Sequence, residues 1–286
     1  PINRPEAMKN LEKKLLIPVQ RCYPDEYREY QTTRRYLDGC MIPVEAFRIR
    51  FCKVIEMVMY PNACVLLSFE KRWDGAVGAR YIGRITETVC TAHRGDTLYF
   101  QLKFPPQFVF QRFTGQVNQI LELDPALFGG AKAIAAAMDE PAMERALDQL
   151  LALVQQSEAG LHMSALIDRF VLDSIRSNET CSIERIVEDI HYSARYVRAV
   201  VKHNLGISSK RLFDILRLQN IMDSQIFDDG DSLSCAYDNG FFDQTHMNKN
   251  IRKLTGLSYT SFRSILKVKT VKTALRPCAA AKFHLY

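Results

Sequence analysis

Two stretches of this 286-residue chain carry side chains suited to holding anions, and they follow one plan repeated about fifty residues apart. The first runs from Ser193 to Lys202 and the second from Asp243 to Lys253. Each opens on a residue whose side-chain oxygen accepts hydrogen bonds from the free N–H groups of a helix start. Each closes on the same signal, Gly206-Ile207-Ser208 in one copy and Gly256-Leu257-Ser258 in the other, the glycine marking a helix end. Between cap and glycine the apolar residues recur at helical spacing. Val197 and Val201 match Met247 and Ile251, so the polar side chains fall on the opposite face. From Gln244 to Thr273 there is no Asp or Glu, whereas Lys249, Arg252, Lys253, Arg263, Lys267, Lys269 and Lys272 all fall there. A segment of one sign repels itself unless something anionic compensates it, so this is either a solvated tail or the footprint of a polyanionic partner.

Other chemistry lacks the residues to perform it. The eight cysteines are scattered, without a Cys-x-x-Cys or a Cys/His cluster at zinc spacing, and are expected to be reduced thiols. A metal-dependent β-barrel enzyme needs a His-x-His with Glu and a later His, but His93 is the only histidine before Gln155. No Gly-x-Ser-x-Gly, phosphate-binding loop or dinucleotide fingerprint occurs. No catalytic residue, cofactor or metal site is therefore expected. A composition of 47% apolar and 24% charged residues, with a net charge of +6, suits packed domains with a mildly basic surface. No apolar run is long enough to span a membrane and no signal peptide stands at the start, so a cytoplasmic location is expected. The stretch Pro1–Pro5 precedes Met8, the natural start, and is expected to lie outside the fold.

The elements that must position these residues are helices. Ser182–Val187 begins a helix ahead of the first copy and Ser232–Ala236 begins one ahead of the second, each followed by a turn. Gly240-Phe241 supplies the second turn, where glycine is free to take a positive φ. The first copy has Ile190-His191 there, so its turn must be made differently. Helix, tight turn and helix is a common outline, and one copy would say little. Two copies joined by a helix from Lys210 to Phe227 are far more specific. Such an arrangement sends two equivalent helices into successive major grooves about 34 Å apart without needing dimer symmetry.

Residues from about Ile167 to Phe262 resemble the DNA-binding domain of the AraC/XylS family of bacterial transcription regulators. The motif is Ala236-x-x-x-Gly240-Phe241-x-Asp243, then Lys249-x-x-Arg252-Lys253-x-x-Gly256-x-Ser258, then Phe262-Arg263, with Arg217 on the linking helix. The first unit matches through Ile183, Ile186, Ser193, Val197, Lys202 and Gly206. The resemblance implies a regulator, most simply an activator, that binds double-stranded DNA and contacts RNA polymerase. By position on that pattern, Arg195, Arg198 and Ala199 face base edges in the first unit, flanked by Ser193 and Lys202 at phosphates. In the second unit Gln244, Thr245, Asn248 and Lys249 take the base-reading places, and Arg252 and Lys253 the phosphates. Arg suits guanine, and Gln and Asn suit adenine, because each makes a bidentate pair in the major groove. Departures from the pattern lie in the helical core: Val187, Val201, Ile251, His246-Met247 and Ser224-Gln225.

The upstream half reads differently. Phe47–Phe51 alternates apolar and charged residues, Ala63–Phe69 is a short apolar run, and Ile82–Cys90, Thr97–Phe104 and Phe108–Phe113 are further strand candidates between turn residues. A small sandwich or barrel is expected, passing to helices near Asp124-Pro125. Pro61–Leu66, Gly83 and Leu127-Phe128-Gly129 resemble a cupin-like sensor domain, which implies a small-molecule effector. Trp73, Tyr81, Tyr99, Phe100, Phe104, Phe108, Phe110 and Phe113 line either a ligand pocket or, more simply, a core. Met143, Ala146, Leu147, Leu150, Leu151 and Val154 form a helical stripe that serves either the core or a homodimer seam. The expected fold is α+β: a β-rich sensor domain over 8–160, an all-α DNA-binding domain over 165–267 and a basic tail over 268–286. Two rivals remain. A DNA-repair protein with zinc-bound cysteines would need clustered partners that Cys22 and Cys40 lack. The other is a protein-interaction module built on the same helices. Burial of the Arg195/Arg198 and Asn248/Lys249 faces against the sensor half would favour that module, and their exposure would favour DNA.

Overall fold

The computed structural model describes residues 27–37, 40, 42–176, 187, 191–227, 232–267 and 282–284. The strands in chain order are β1 (Tyr27–Arg35), β2 (Val44–Phe51), β3 (Ile55–Met59), β4 (Val65–Lys71), β5 (Val77–Ile82), β6 (Val89–His93), β7 (Leu98–Phe104), β8 (Phe108–Phe110), β9 (Ile120–Leu123), β10 (Leu161–Met163) and β11 (Lys282–His284). Six of them form one antiparallel sheet in the order β1-β2-β7-β4-β5-β9. A second sheet pairs β3 with β6, and β11 joins β6 in parallel. The short strands β8 and β10 pair with each other.

The sheet is covered on both faces, which is why its central strands read as apolar runs. Every residue of β7 is buried. Leu98, Phe100, Leu102 and Phe104 share a core with Leu67 and Phe69 of β4, while Tyr99 faces a smaller cluster with Phe47, Ile49, Phe51 and Ile55. Lys103 is buried too, and its ammonium meets Glu45 at 3.0 Å across the β2–β7 ladder. Burial alone would lower the Lys103 pKa, but the Glu45 carboxylate outweighs it and holds the group above its ordinary value.

Asp124 caps a single 3-10 turn, Pro125–Phe128, by accepting a hydrogen bond from the Ala126 amide at 2.9 Å. Helices α1 (Ala131–Asp139) and α2 (Met143–Gln156) follow. Ala146, Leu147, Leu150, Leu151 and Val154 of α2 are buried with Phe69, Phe100 and Phe128, so the stripe belongs to the core and is not available as a dimer seam. The aromatic residues of this half behave in the same way. Tyr81 and Phe113 lie 4.4 Å apart, and Phe104 and Phe110 5.1 Å apart edge to face, whereas Trp73 is 85% exposed.

The second half is helical: α3 (Ala165–Arg176), α4 (Ala194–Leu205), α5 (Ser209–Phe227), α6 (Ser232–Asp238), α7 (Gln244–Thr255) and α8 (Tyr259–Lys267). Val197, Val201 and Leu205 of α4, Leu212, Ile215 and Leu218 of α5, and Met247, Ile251 and Leu254 of α7 share one core with Phe170 and Phe262. Ile42, Ala63 and Val109 of the β-rich half enter that same core. The chain is thus α+β, a β-rich half followed by helices, with the two halves packed against each other.

Two strand expectations need correction. The run Ile82–Cys90 is not one strand: it is the end of β5, a connection and the start of β6. Ile82, Ile85 and Val89 are buried together with Leu66 in a small cluster of the β-rich half, and periodicity does not distinguish such a buried connection from a ladder. Phe108–Phe113 is strand only to Phe110 and then turns through a 3-10 helix. Between the β-rich half and the later helices, β10 returns to pair with β8. The expected helix beginning at Ser182 lies outside the described residues except for Val187, as does the basic tail except for β11.

Candidate nucleic-acid interface

Helices α4 and α7 are built alike. Ser193 precedes α4 in an extended conformation and its Oγ accepts a hydrogen bond from the Tyr196 amide at 3.2 Å. Asp243 precedes α7 and its carboxylate accepts from the His246 amide at 2.6 Å. Gly206 and Gly256 end the helices at φ of 70° and 76°, where a left-handed backbone favours glycine. The preceding turns differ, as the sequence requires. Gly240 takes φ of 70° in the second unit, while His191 takes φ of 55° in the first, a conformation uncommon outside glycine.

One face of each helix is buried and the other is open. Opposite Val197, Val201 and Leu205, the residues Arg195, Arg198, Ala199 and Lys202 of α4 are exposed, and so is the cap Ser193. Opposite Met247, Ile251 and Leu254, the residues Gln244, Thr245, Lys249, Arg252 and Lys253 of α7 are exposed, with Asn248 half-buried among them. Neither helix contains an Asp or Glu. The face of α4 therefore offers cations to the outside and that of α7 cations and amides, with no carboxylate within either helix to neutralise them. The Lys202 ammonium bends back to donate to the Gly206 carbonyl at 2.9 Å, which places that charge at the far end of the helix. Arg217 projects from α5 over the ring of Phe241, 5.5 Å from its centroid, and so ties the linking helix to the turn of the second unit.

No motif in the chain signals how the β-rich half holds these helices. It takes both by their C-terminal ends. Thr88 donates its hydroxyl to the carbonyls of Leu254 and Thr255 at 3.4 and 3.3 Å, in the last turn of α7. At the end of α4, Gly206 lies against Gly115, so closely that a Cβ on Gly206 would stand 2.8 Å from the Gly115 carbonyl carbon. The linking helix is fixed from the same side: Arg211 donates to the Thr86 carbonyl, Gln219 to the Pro61 carbonyl, and Phe262 of α8 meets Tyr60 edge to face at 5.1 Å. Behind these contacts Arg84 is fully buried and bonds the carbonyls of Ala63 and Phe108 at 2.9 and 2.6 Å. Burial lowers its pKa to about 10, so it stays charged at neutral pH. An open groove of about 430 Å³ between α5 and α7 is lined by Ser208, Lys210, Arg211, Asp214 and Lys253.

Among the described residues no group of three or more His, Cys, Asp or Glu is placed to hold a metal ion. His93 is buried beside Phe51 and Tyr99, at ring distances of 5.4 and 4.9 Å, and burial drives its pKa down to about 4. Among the described residues no helix is long and apolar enough to cross a membrane.

No family model matches the chain, and no curated protein matches it. Among solved structures it is similar to ToxT from Vibrio cholerae O395, at a TM-score of 0.43 and 8% identity over 83% of this chain and 98% of that one. It is likewise similar to the unsaturated-fatty-acid-bound wild-type ToxT of strain SCE256, at a TM-score of 0.42 and 5% identity over 86% and 98%. At such identities the functional reading rests on the residues of the chain itself.

Proposed function

We propose that this chain is a sequence-specific transcription regulator that binds double-stranded DNA through two helix-turn-helix units on one polypeptide. The carrying observation is that α4 and α7, capped alike and free of acidic residues, bury equivalent faces in one core and leave the opposite faces open. In this reading Arg195, Arg198 and Ala199, and Gln244, Thr245, Asn248 and Lys249, meet base edges in two successive major grooves. Ser193, Lys202, Arg252 and Lys253 meet phosphates, which set position without specifying sequence. The β-rich half, joined to the C-terminal ends of both helices, regulates how the two heads are held, and a small-molecule effector acts there. Activation through RNA polymerase completes the reading.

Selection of the purified chain against a randomised duplex pool across a salt series tests it. The expected result is a site with two short blocks about one helical turn apart and an affinity that falls steeply with salt. Absence of any enriched sequence, with no salt-dependent retention of duplex, overturns it in favour of a protein partner.

A further inference from the structure

Immediately before its cap, each reading helix carries a large aromatic side chain in water. Phe242 precedes Asp243 and is 85% exposed; Tyr192 precedes Ser193 and is 52% exposed. The two positions are related by the same offset as the caps themselves, so they are one place in the repeat occupied twice. In the second unit the packing of the turn falls to Phe241, which is buried beneath Arg217 and lies edge-on to His246 at 5.4 Å. In the first, Tyr192 stacks on Tyr196 at 5.2 Å, one turn into α4, which holds its ring in place at the surface. A single exposed apolar residue calls for no explanation. Two at equivalent places, both at the N-terminal ends of acid-free helices, do.

Resting on the DNA-binding reading above, we infer that Tyr192 and Phe242 are apolar contacts to the nucleic acid, each ring packing on C–H surface of the duplex where its helix enters the groove. At α4 the helix dipole and the N–H groups that Ser193 leaves unbonded draw a phosphate towards the cap, whereas at α7, where the cap is the Asp243 carboxylate, the Lys249, Arg252 and Lys253 cations bring the strand alongside. A side chain one residue before either cap then lies along the strand. The apolar surfaces within its reach there are the deoxyribose edge and the methyl group of a thymine. Covering a ring in this way is worth about tenfold in affinity. It releases no counterion, so it leaves the salt dependence untouched. These two residues therefore add affinity that survives at high salt to a face whose other contacts are ionic and amide in kind.

The test measures the full chain, Phe242→Ala, Phe242→Leu and Tyr192→Ala on the site selected from the pool, at several salt concentrations, with melting of each free protein alongside. Each alanine variant is expected to lose about tenfold in affinity at every salt, giving parallel lines, with melting unchanged, and the leucine variant to retain most of the binding. Replacing single thymines of the site by deoxyuridine separates the two surfaces. A loss that does not add to that of Phe242→Ala assigns the ring to a methyl, and full additivity at every thymine assigns it to the sugar. Unchanged affinity in the alanine variants overturns the inference while leaving DNA binding intact, as does a loss that comes with a shallower salt slope or with altered self-association. A wild-type chain that enriches no duplex overturns both.

Discussion

Gly115 of the β-rich half sits where a side chain on Gly206 would have to go, and Gly206 closes the first reading helix. At the second reading helix the corresponding place is taken by Thr88, whose hydroxyl bonds the carbonyls of Leu254 and Thr255. The last carbonyls of a helix have no partner within it, so a hydroxyl offered from outside both satisfies them and fixes where the helix ends. The two contacts are chemically unrelated but mechanically alike. Each grips a helix at the end away from its cap and leaves the capped end, with Arg195 or Gln244 beside it, facing out. Holding both helices on one support sets the distance between them, and under the proposed DNA-binding function that distance is what a two-block site would measure.

Thr88→Val keeps the shape of the side chain and removes the donor, leaving the end of α7 short of a partner. The expected loss is about 1–2 kcal/mol of stability. A more informative consequence concerns spacing. Sites whose two blocks are separated by one base pair more or fewer than the optimum are expected to be discriminated less sharply by this variant. Competition binding with a spacing series checks it, and an unchanged profile would mean that α5 alone sets the distance.

Gly206→Ala combines two costs, a positive φ and a close approach to Gly115. The backbone strain alone is worth about 1–3 kcal/mol. The steric conflict with Gly115 adds to it, so the melting temperature is expected to fall by more than in a Gly256→Ala partner variant. If the two variants melt alike, the approach to Gly115 carries no weight in solution.

How much of this was visible in the chain depends on the kind of interaction. Caps, glycines and the apolar stripes of α4 and α7 are local, so Ser193, Asp243, Gly206 and Gly256 announced their roles by spacing alone. The burial of Phe100, Phe104 and Phe110 was equally legible as a core. Thr88 was not: a threonine between Glu87 and Val89 carries no signal that its partner lies in the helical half. Gly115 carries no such signal either, although the close approach to Gly206 is the reason a side chain would not fit. The run Ile82–Cys90 misled because Ile82, Ile85 and Val89 are buried in one cluster although the connection between β5 and β6 interrupts the ladder. Reading roles within the exposed faces came from a family pattern, and neither spacing nor burial distinguishes a base contact from a phosphate contact.

That distinction is open to measurement. Arg198→Ala is expected to cost about 1–3 kcal/mol of binding and to relax specificity at one base position of the selected site. Arg252→Ala and Lys253→Ala are expected instead to weaken all single-base variants of the site equally and to lower the salt slope by about one each. Binding isotherms over the single-base series decide it. Uniform weakening by Arg198→Ala would move that residue to the phosphates.

Acid stability offers a probe of the β-rich half that needs no DNA. His93 is fully buried against Phe51 and Tyr99, and burial lowers its pKa from 6.5 to about 4. The folded chain therefore resists a proton that the unfolded chain accepts. Between those two values the unfolded state binds more protons, so stability is full above about pH 6.5 and declines as the pH falls towards 4. The decline attributable to this one ring is on the order of 3 kcal/mol. His93→Phe keeps an aromatic ring among aromatic neighbours and cannot take a proton, so its unfolding free energy is expected to change less over that interval than that of the wild type. Chemical denaturation at pH 7, 6, 5 and 4 makes the comparison. Two parallel curves would show that the imidazole reaches water in the native state, and the β-rich half would then be looser around β6 than its packing implies.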